Sequence, residues 1–251
     1  MRKFQALSLS AALLASLLLG GCANNAASSD AASSDSAASE PEATPEPTPA
    51  PPAANPLTGA ADADYTGKRP VAVTLRNMTG STPQWGIASA DVLVAGVTEG
   101  PPASLMALYA NQDRIAKAGP VGPARDLLLQ VALPLNAVPV HIDKNIYASN
   151  LLNTLAYQDL DGYHIGKTAF AFDQDRQNAG YAEENCGYTT AELINSGLAS
   201  YGVSLNGDNT PLFQFGERPA VDPADRSGMN LTINFSPDDI DCLNYDTGTG
   251  L

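Results

Sequence analysis

The sequence predicts an α/β or α+β fold: a mixed sheet with flanking helices, followed by the start of a second, β-rich domain. Two observations carry this. Between residues 69 and 205, short apolar runs of strand length alternate with capped segments of helical period. Between 229 and 245 that pattern gives way to two strands around a Ser-Pro-Asp-Asp turn. Residues 55–251 are enough for one large domain, or one domain plus part of another.

Arg69 to Leu75 (Arg-Pro-Val-Ala-Val-Thr-Leu) reads as a buried strand. Pro83 to Ala90 holds a turn and one helical turn. Asp91 to Thr98 and Ser104 to Ala110 are two further strands. Pro123 fits the first position of a helix running to about Leu133, with Asp126 at its positive end. Val138 to Ile142 is a strand. Asn145 to Ala156 is an amphipathic helix with Ile146, Ser149, Leu152 and Ala156 at helical spacing. Ala169 to Phe172 is a short strand. Thr189 and Thr190 can cap a helix through Leu198, with Glu192 in its first turn. Met229 to Phe235 and Ile240 to Tyr245 form the later strand pair. Asp246-Thr247-Gly248-Thr249-Gly250 reads as a hairpin turn with no returning strand, so the chain is expected to be part of a longer product.

The segment before these elements has a different character. Arg2 and Lys3 precede an apolar run from Ala6 to Leu19, too short for a comfortable membrane span. Gly20-Gly21-Cys22 follows. This is the layout of a bacterial lipoprotein signal, with residues 1–21 removed and Cys22 carrying the lipid. Two or three acyl chains hold a protein durably on a membrane. Residues 23–54 are almost entirely Ala, Ser, Pro, Glu, Asp and Thr, with no base and no aromatic residue. Such a segment cannot bury enough apolar surface to offset its ordering entropy. With Cys22 it forms a disordered tether, 22–54, of up to ~100 Å if fully extended. The expected location is the outer face of the cell membrane.

Charge narrows the partners. The chain carries 13 basic and 27 acidic residues; loss of Arg2 and Lys3 takes the formal charge from −14 to −16. An anionic membrane repels such a protein except through its lipid. Nucleic acid is not an expected partner, because no basic patch is present to neutralise phosphates. A cell-wall polymer or an envelope protein is. No Gly-x-Ser-x-Gly elbow, phosphate loop, dinucleotide fingerprint or zinc pattern occurs, and no cofactor is expected.

An ordered set of short pieces carries a resemblance. Asn55-Pro56-Leu57-Thr58-Gly59 comes first, then Arg69-Pro70-Val71-Ala72-Val73 and Asn77. Pro83-Gln84-Trp85-Gly86-Ile87, Ala90-Asp91-Val92 and Thr98-Glu99-Gly100 follow. Gly119-Pro120-Val121-Gly122-Pro123-Ala124-Arg125, Val140-His141 and Asp161-Gly162 complete it. This order resembles the YerB-like lipoproteins, the domain of unknown function numbered 3048, over about residues 55–205. The resemblance implies an N-terminal family domain there. It also implies that 206–251 are a linker and the incomplete start of a β-rich second domain. It implies no reaction. The chain is a divergent member: Pro101-Pro102 follows Glu99-Gly100 where the family has a further glycine, Gly122 stands for the usual arginine, and Asp143-Lys144-Asn145 replaces Gly-Gly-Ser.

Candidate site residues follow from chemistry. Arg125 at a helix start, with Glu99 and His141 at strand ends, can bind an anion or do acid–base work. The plain alternative is a structural Glu99–Arg125 ion pair. Asp91 is a second candidate acid or base. Trp85 can stack on a sugar or simply pack. Asp173, Asp175 and Glu184 match positions 1, 3 and 12 of a calcium loop, but Asn178 stands where glycine belongs, and a solvated acidic loop explains them as well. Cys186 and Cys242 can pair outside the cytoplasm, though separate thiols are the simpler reading. A Cys186 nucleophile with His141 or His164 lacks any cysteine-hydrolase signature. Two functions from different classes remain. One is a non-catalytic tethered module that binds an envelope component or a partner protein. The other is a cell-envelope hydrolase of peptidoglycan or glycan using Glu99 or Asp91, with Arg125 orienting the substrate.

Overall fold

The structure, a computed structural model, describes residues 53–100, 102–207, 213–216, 230–237 and 239–244. All belong to one unit, Pro49–Leu251. The leader, Cys22, nearly all of the tether, Met229, Tyr245 and the turn at 246–250 lie outside the described residues. No helix among the described residues is long and apolar enough to cross a membrane.

In chain order the elements are β1 (Val71–Leu75), β2 (Val92–Gly96), β3 (Ser104–Tyr109), α1 (Asp126–Ala132), β4 (Val138–His141), α2 (Ile146–Thr154), β5 (Leu160–Asp161), α3 (Gly162–Ile165), β6 (Ala171–Phe172), α4 (Gln174–Asn178), β7 (Gly187–Tyr188), α5 (Ala191–Tyr201), β8 (Asn230–Ser236) and β9 (Asp239–Asn244). β1 organises the rest. All five of its residues are buried, as an apolar run covered on both faces should be. The main sheet has the order β2-β3-β1-β4-β5. β3 is antiparallel to both β1 and β2, while β4 and β5 continue parallel to β1. The result is the mixed sheet with flanking helices that the alternation predicts, in its α+β form.

The two faces bury different helices. Val71, Val73, Leu75, Val138, Val140 and Leu160 pack with Ile194 and Leu198 of α5. Gly197 allows that approach, since a Cβ there would lie 2.7 Å from the Ala169 Cβ. On the other face Ala72, Met106 and Leu108 meet Leu128 and Ala132 of α1. Leu129 and Ala124 then dock against Ala148 and Leu152 of α2. Each fully buried aliphatic side chain contributes about 1.5–3 kcal/mol.

Several local expectations shift. α1 starts at Asp126 with Arg125 as its N-cap, three residues after Pro123, which therefore precedes the helix instead of opening it. α2 begins at Ile146, capped by the Asn145 side chain, which accepts from the Ala148 amide at 2.8 Å. Its buried stripe is Ala148 and Leu152; Ile146 faces solvent, because docking on α1 selects the face. α5 is capped by Thr190, which accepts from the Leu193 amide, while Thr189 is buried and donates to the Ala169 carbonyl. β6 is half the expected length. β8 and β9 form their own antiparallel pair, separate from the main sheet. Cys186 is buried, Cys242 is exposed, and both are free thiols.

Candidate functional site

Topology decides where a ligand can be met. The chain leaves β1 toward β2, returns through β3, and then crosses by α1 to β4 on the opposite side of β1. Connections thus depart in opposite directions on either side of β1. In open sheets the crevice outside the carboxyl ends at such a reversal is the usual ligand site. Because only β3 is reversed, the ends of β1, β2, β4 and β5 and the start of β3 share one edge. That edge receives Arg76, Glu99, His141 to Asn145 and Asp161.

One group there is open. Arg76 follows β1 directly and lines a cleft of about 270 Å³ with Val121, Ile142, Phe172, Glu183, Glu184 and Gly187. Its Nε is buried and has no hydrogen-bond partner among the described residues. Burial lowers the Arg76 pKa from the ordinary arginine value; the nearby Arg125 charge adds to this, and Glu184 and Asp143 oppose it. Gly122 makes room for this arginine, since a Cβ at 122 would lie 3.2 Å from its Cγ.

A second group is closed. His141 is fully buried; its Nε2 lies 2.9 Å from the Asp159 Oδ2 and its Nδ1 2.8 Å from the Asp143 carbonyl. Both ring nitrogens therefore face acceptors. The Lys144 ammonium donates to Asp159 at 2.7 Å and sits 3.1 Å from Asp161. Asp161 also accepts from the Asp143 and Tyr163 amides. Burial alone would raise Asp159, but the bonds from His141 and Lys144 prevail and hold it at about 2. Asp161 is lowered in the same way, burial again being outweighed by the His141 charge and its hydrogen bonds. Lys144 is raised: burial opposes its charge, and the two aspartates overcome that. His141, Asp159 and Asp161 have metal-ligand spacing. The Lys144 ammonium already stands against both carboxylates.

Between these groups, Glu99 accepts from Arg125 at 3.0 Å and from the Asn145 Nδ2 at 2.7 Å. The pair ties the loop after β2 to the starts of α1 and α2. It is half open to solvent on the glutamate side.

Of the expected site residues, Glu99 and Arg125 meet as predicted from their strand-end and helix-start positions. His141 does not join them: it points into the sheet face beside Asp161, its partner across β4 and β5. Asp91 is at the opposite end of β2, where its carboxylate accepts from Asn55 and the Ala110 amide, both at 2.8 Å. The five residues of β2 lie between it and Glu99, a span of roughly 17 Å. Trp85 has the Lys117 ammonium and the Arg176 guanidinium each 3.7 Å from its ring centroid, so cations already cover it where a sugar would stack. The calcium set does not assemble. Asp173 caps α4 and pairs with Lys117, Asp175 lies within that helix, and Glu184 turns to the Arg76 cleft. Cys186 donates to the Ala182 carbonyl, and burial pushes its thiol pKa up; neither histidine is among its partners in the described residues. Cys22 lies outside the described residues.

No sequence motif marks Arg76 or Asp159. The signals are an arginine at the end of a wholly buried strand, and Asp159-Leu160-Asp161, whose alternation puts two carboxylates on one side of a strand.

Residues 57–204 match the family described as "Protein of unknown function (DUF3048) N-terminal domain". The chain is 26% identical over 199 residues to "Putative lipoprotein YerB" of Bacillus subtilis (strain 168), covering 76% of this chain and 56% of that protein. The crystal structure of YerB protein from Bacillus subtilis superposes with a TM-score of 0.57 at 25% identity, over 64% of this chain and 54% of that one. The chain thus spans about half the length of the relatives it matches.

Proposed function

The chain belongs to the DUF3048 family of proteins of unknown function, and from that membership we propose a lipid-anchored, extracytoplasmic binding module. It presents the carboxyl edge of its sheet to an envelope component or a partner protein. The observation that carries the reading is Arg76, which makes no ion pair among the described residues, in a cleft at the topological reversal. Exposed apolar side chains lie on the same edge: Met78 after β1, Val97 after β2, Ile146 and Tyr147 at the start of α2, and Tyr163 after β5. A charged cleft with exposed apolar side chains elsewhere on the same edge suits recognition of a polar group on a larger molecule. Support for the anchor comes from Cys22 behind its apolar run and from a relative named as a lipoprotein. The tether at 23–54 then provides reach into the wall. A hydrolase built on Glu99 or Asp91 lacks comparable support, because Glu99 is held by Arg125 and Asn145 and Asp91 is engaged at the far end of β2.

The test uses the mature chain as Cys22→Ser, incubated with purified cell wall and sedimented. The protein should pellet without releasing sugars or peptides detectable by mass spectrometry, and Arg76→Met should cut the pelleted fraction at least fivefold. Released fragments, or pelleting indifferent to Arg76, would sink the reading. Fatty-acid labelling of the wild type and not of Cys22→Ala checks the anchor.

A further inference from the structure

Arg76 and two carboxylates line one small cleft without pairing. The Arg76 guanidinium makes no ion pair or hydrogen bond within the described residues. Glu183 and Glu184 stand at the rim, both exposed and neither in an ion pair among those residues. The cleft therefore holds both signs of charge apart. A simple anion such as phosphate would find Arg76 but also two carboxylates, and a simple cation would meet the reverse. A ligand that carries a carboxylate and an ammonium satisfies both ends. The arginine fork matches a carboxylate in plane.

Size and lining narrow the ligand further. The cleft, at about 270 Å³, lies below the range of drug-sized ligand pockets. Its floor is apolar, made by Val121, Ile142 and Phe172. Two glycines keep it open. A Cβ at Gly187 would stand 3.0 Å from the Ile142 Cδ1, and one at Gly122 would press on Arg76. An aliphatic side group of one or two carbons fits such a floor better than an aromatic one.

We infer that this cleft takes a zwitterion of amino-acid to dipeptide size with small aliphatic side groups, its carboxylate on Arg76 and its ammonium toward Glu183 and Glu184. This rests on the reading of the carboxyl edge as the binding surface, and it names the chemistry that Arg76 reads there.

The probe is alanyl-alanine, titrated into the mature Cys22→Ser chain and followed by backbone amide chemical shifts. Shifts should concentrate at Arg76, Val121, Ile142 and Gly187. The C-terminal amide and the N-acetyl form of the dipeptide should each bind at least tenfold more weakly. Arg76→Met should abolish binding with its circular dichroism unchanged. The double variant Glu183→Gln/Glu184→Gln should bind the free and N-acetyl forms within threefold of each other. Equal binding of the N-acetyl form to the wild type would overturn the inference, as would displacement by inorganic phosphate at equal concentration, or no binding of the dipeptide at all. If the dipeptide fails while wall binding still needs Arg76, only the ligand class is wrong. If the dipeptide binds at Arg76 while wall binding ignores that residue, the proposed function fails and the cleft stands.

Discussion

Two groups of charges share one edge of the sheet and are handled in opposite ways. Around His141, two aspartates, a lysine and an imidazole close on each other, with distances of 2.7–3.1 Å between charged atoms and two backbone amides filling the remaining positions. On the same edge, Arg76 lines a cleft with no ion-pair partner among the described residues. Buried charges that are paired and hydrogen-bonded belong to the architecture, while a charge kept unpaired costs stability and persists where something else completes it. The contrast separates the residues that hold α2 and β5 in place from a residue whose charge the described residues leave open.

Lys144→Met should break the closed group. It leaves Asp159 and Asp161 together with only the His141 ring beside them, and should cost about 3 kcal/mol in urea unfolding. A loss under 1 kcal/mol would mean that solvent screens the group and the contrast is false. The pH dependence should come next in size. Asp159 has a folded pKa of about 2 against an ordinary 3.8, so its contribution is fully present above about pH 4 and is lost as pH falls toward 2. That contribution is on the order of 2 kcal/mol before allowance for its partial exposure. Lys144 is raised, so its share is fully present below its ordinary 10.5 and is lost only as pH rises beyond that. Thermal melts from pH 2 to 5 should show the acid loss, and Asp159→Asn should flatten it. The smallest effect sharpens the other side. Arg76→Met should leave the unfolding free energy unchanged or raise it by up to about 1 kcal/mol, since an unsatisfied buried donor is removed. A clear loss would show that Arg76 is held by the fold after all.

Much of this edge can be read from sequence, though unevenly. Strands β1 to β4 are apolar runs of four to six residues and declare themselves. α2 and α5 announce their starts through Asn145 and Thr190. β5, β6 and β7 have two residues each, too few for any period, and tertiary pairing alone makes them strands. The site divides similarly. Glu99 and Arg125 sit where strand-end and helix-start rules put them. Lys144 and Asp159 acquire meaning only when β4 pairs with β5 and sets His141 beside Asp161. An unpaired arginine cannot be told from a paired one until its neighbours are placed.

The reversal of β3 has a further consequence. Were the sheet wholly parallel, the link between β2 and β3 would have to climb back along its length. With one strand turned round, that link is a loop that joins Gly96 to Ser104 along the carboxyl edge of β1. Surface loops of this kind tolerate insertion and replacement far better than strands do. The fold therefore allows this edge of the sheet to be altered at one loop without disturbing the pairing of the buried strands beneath it.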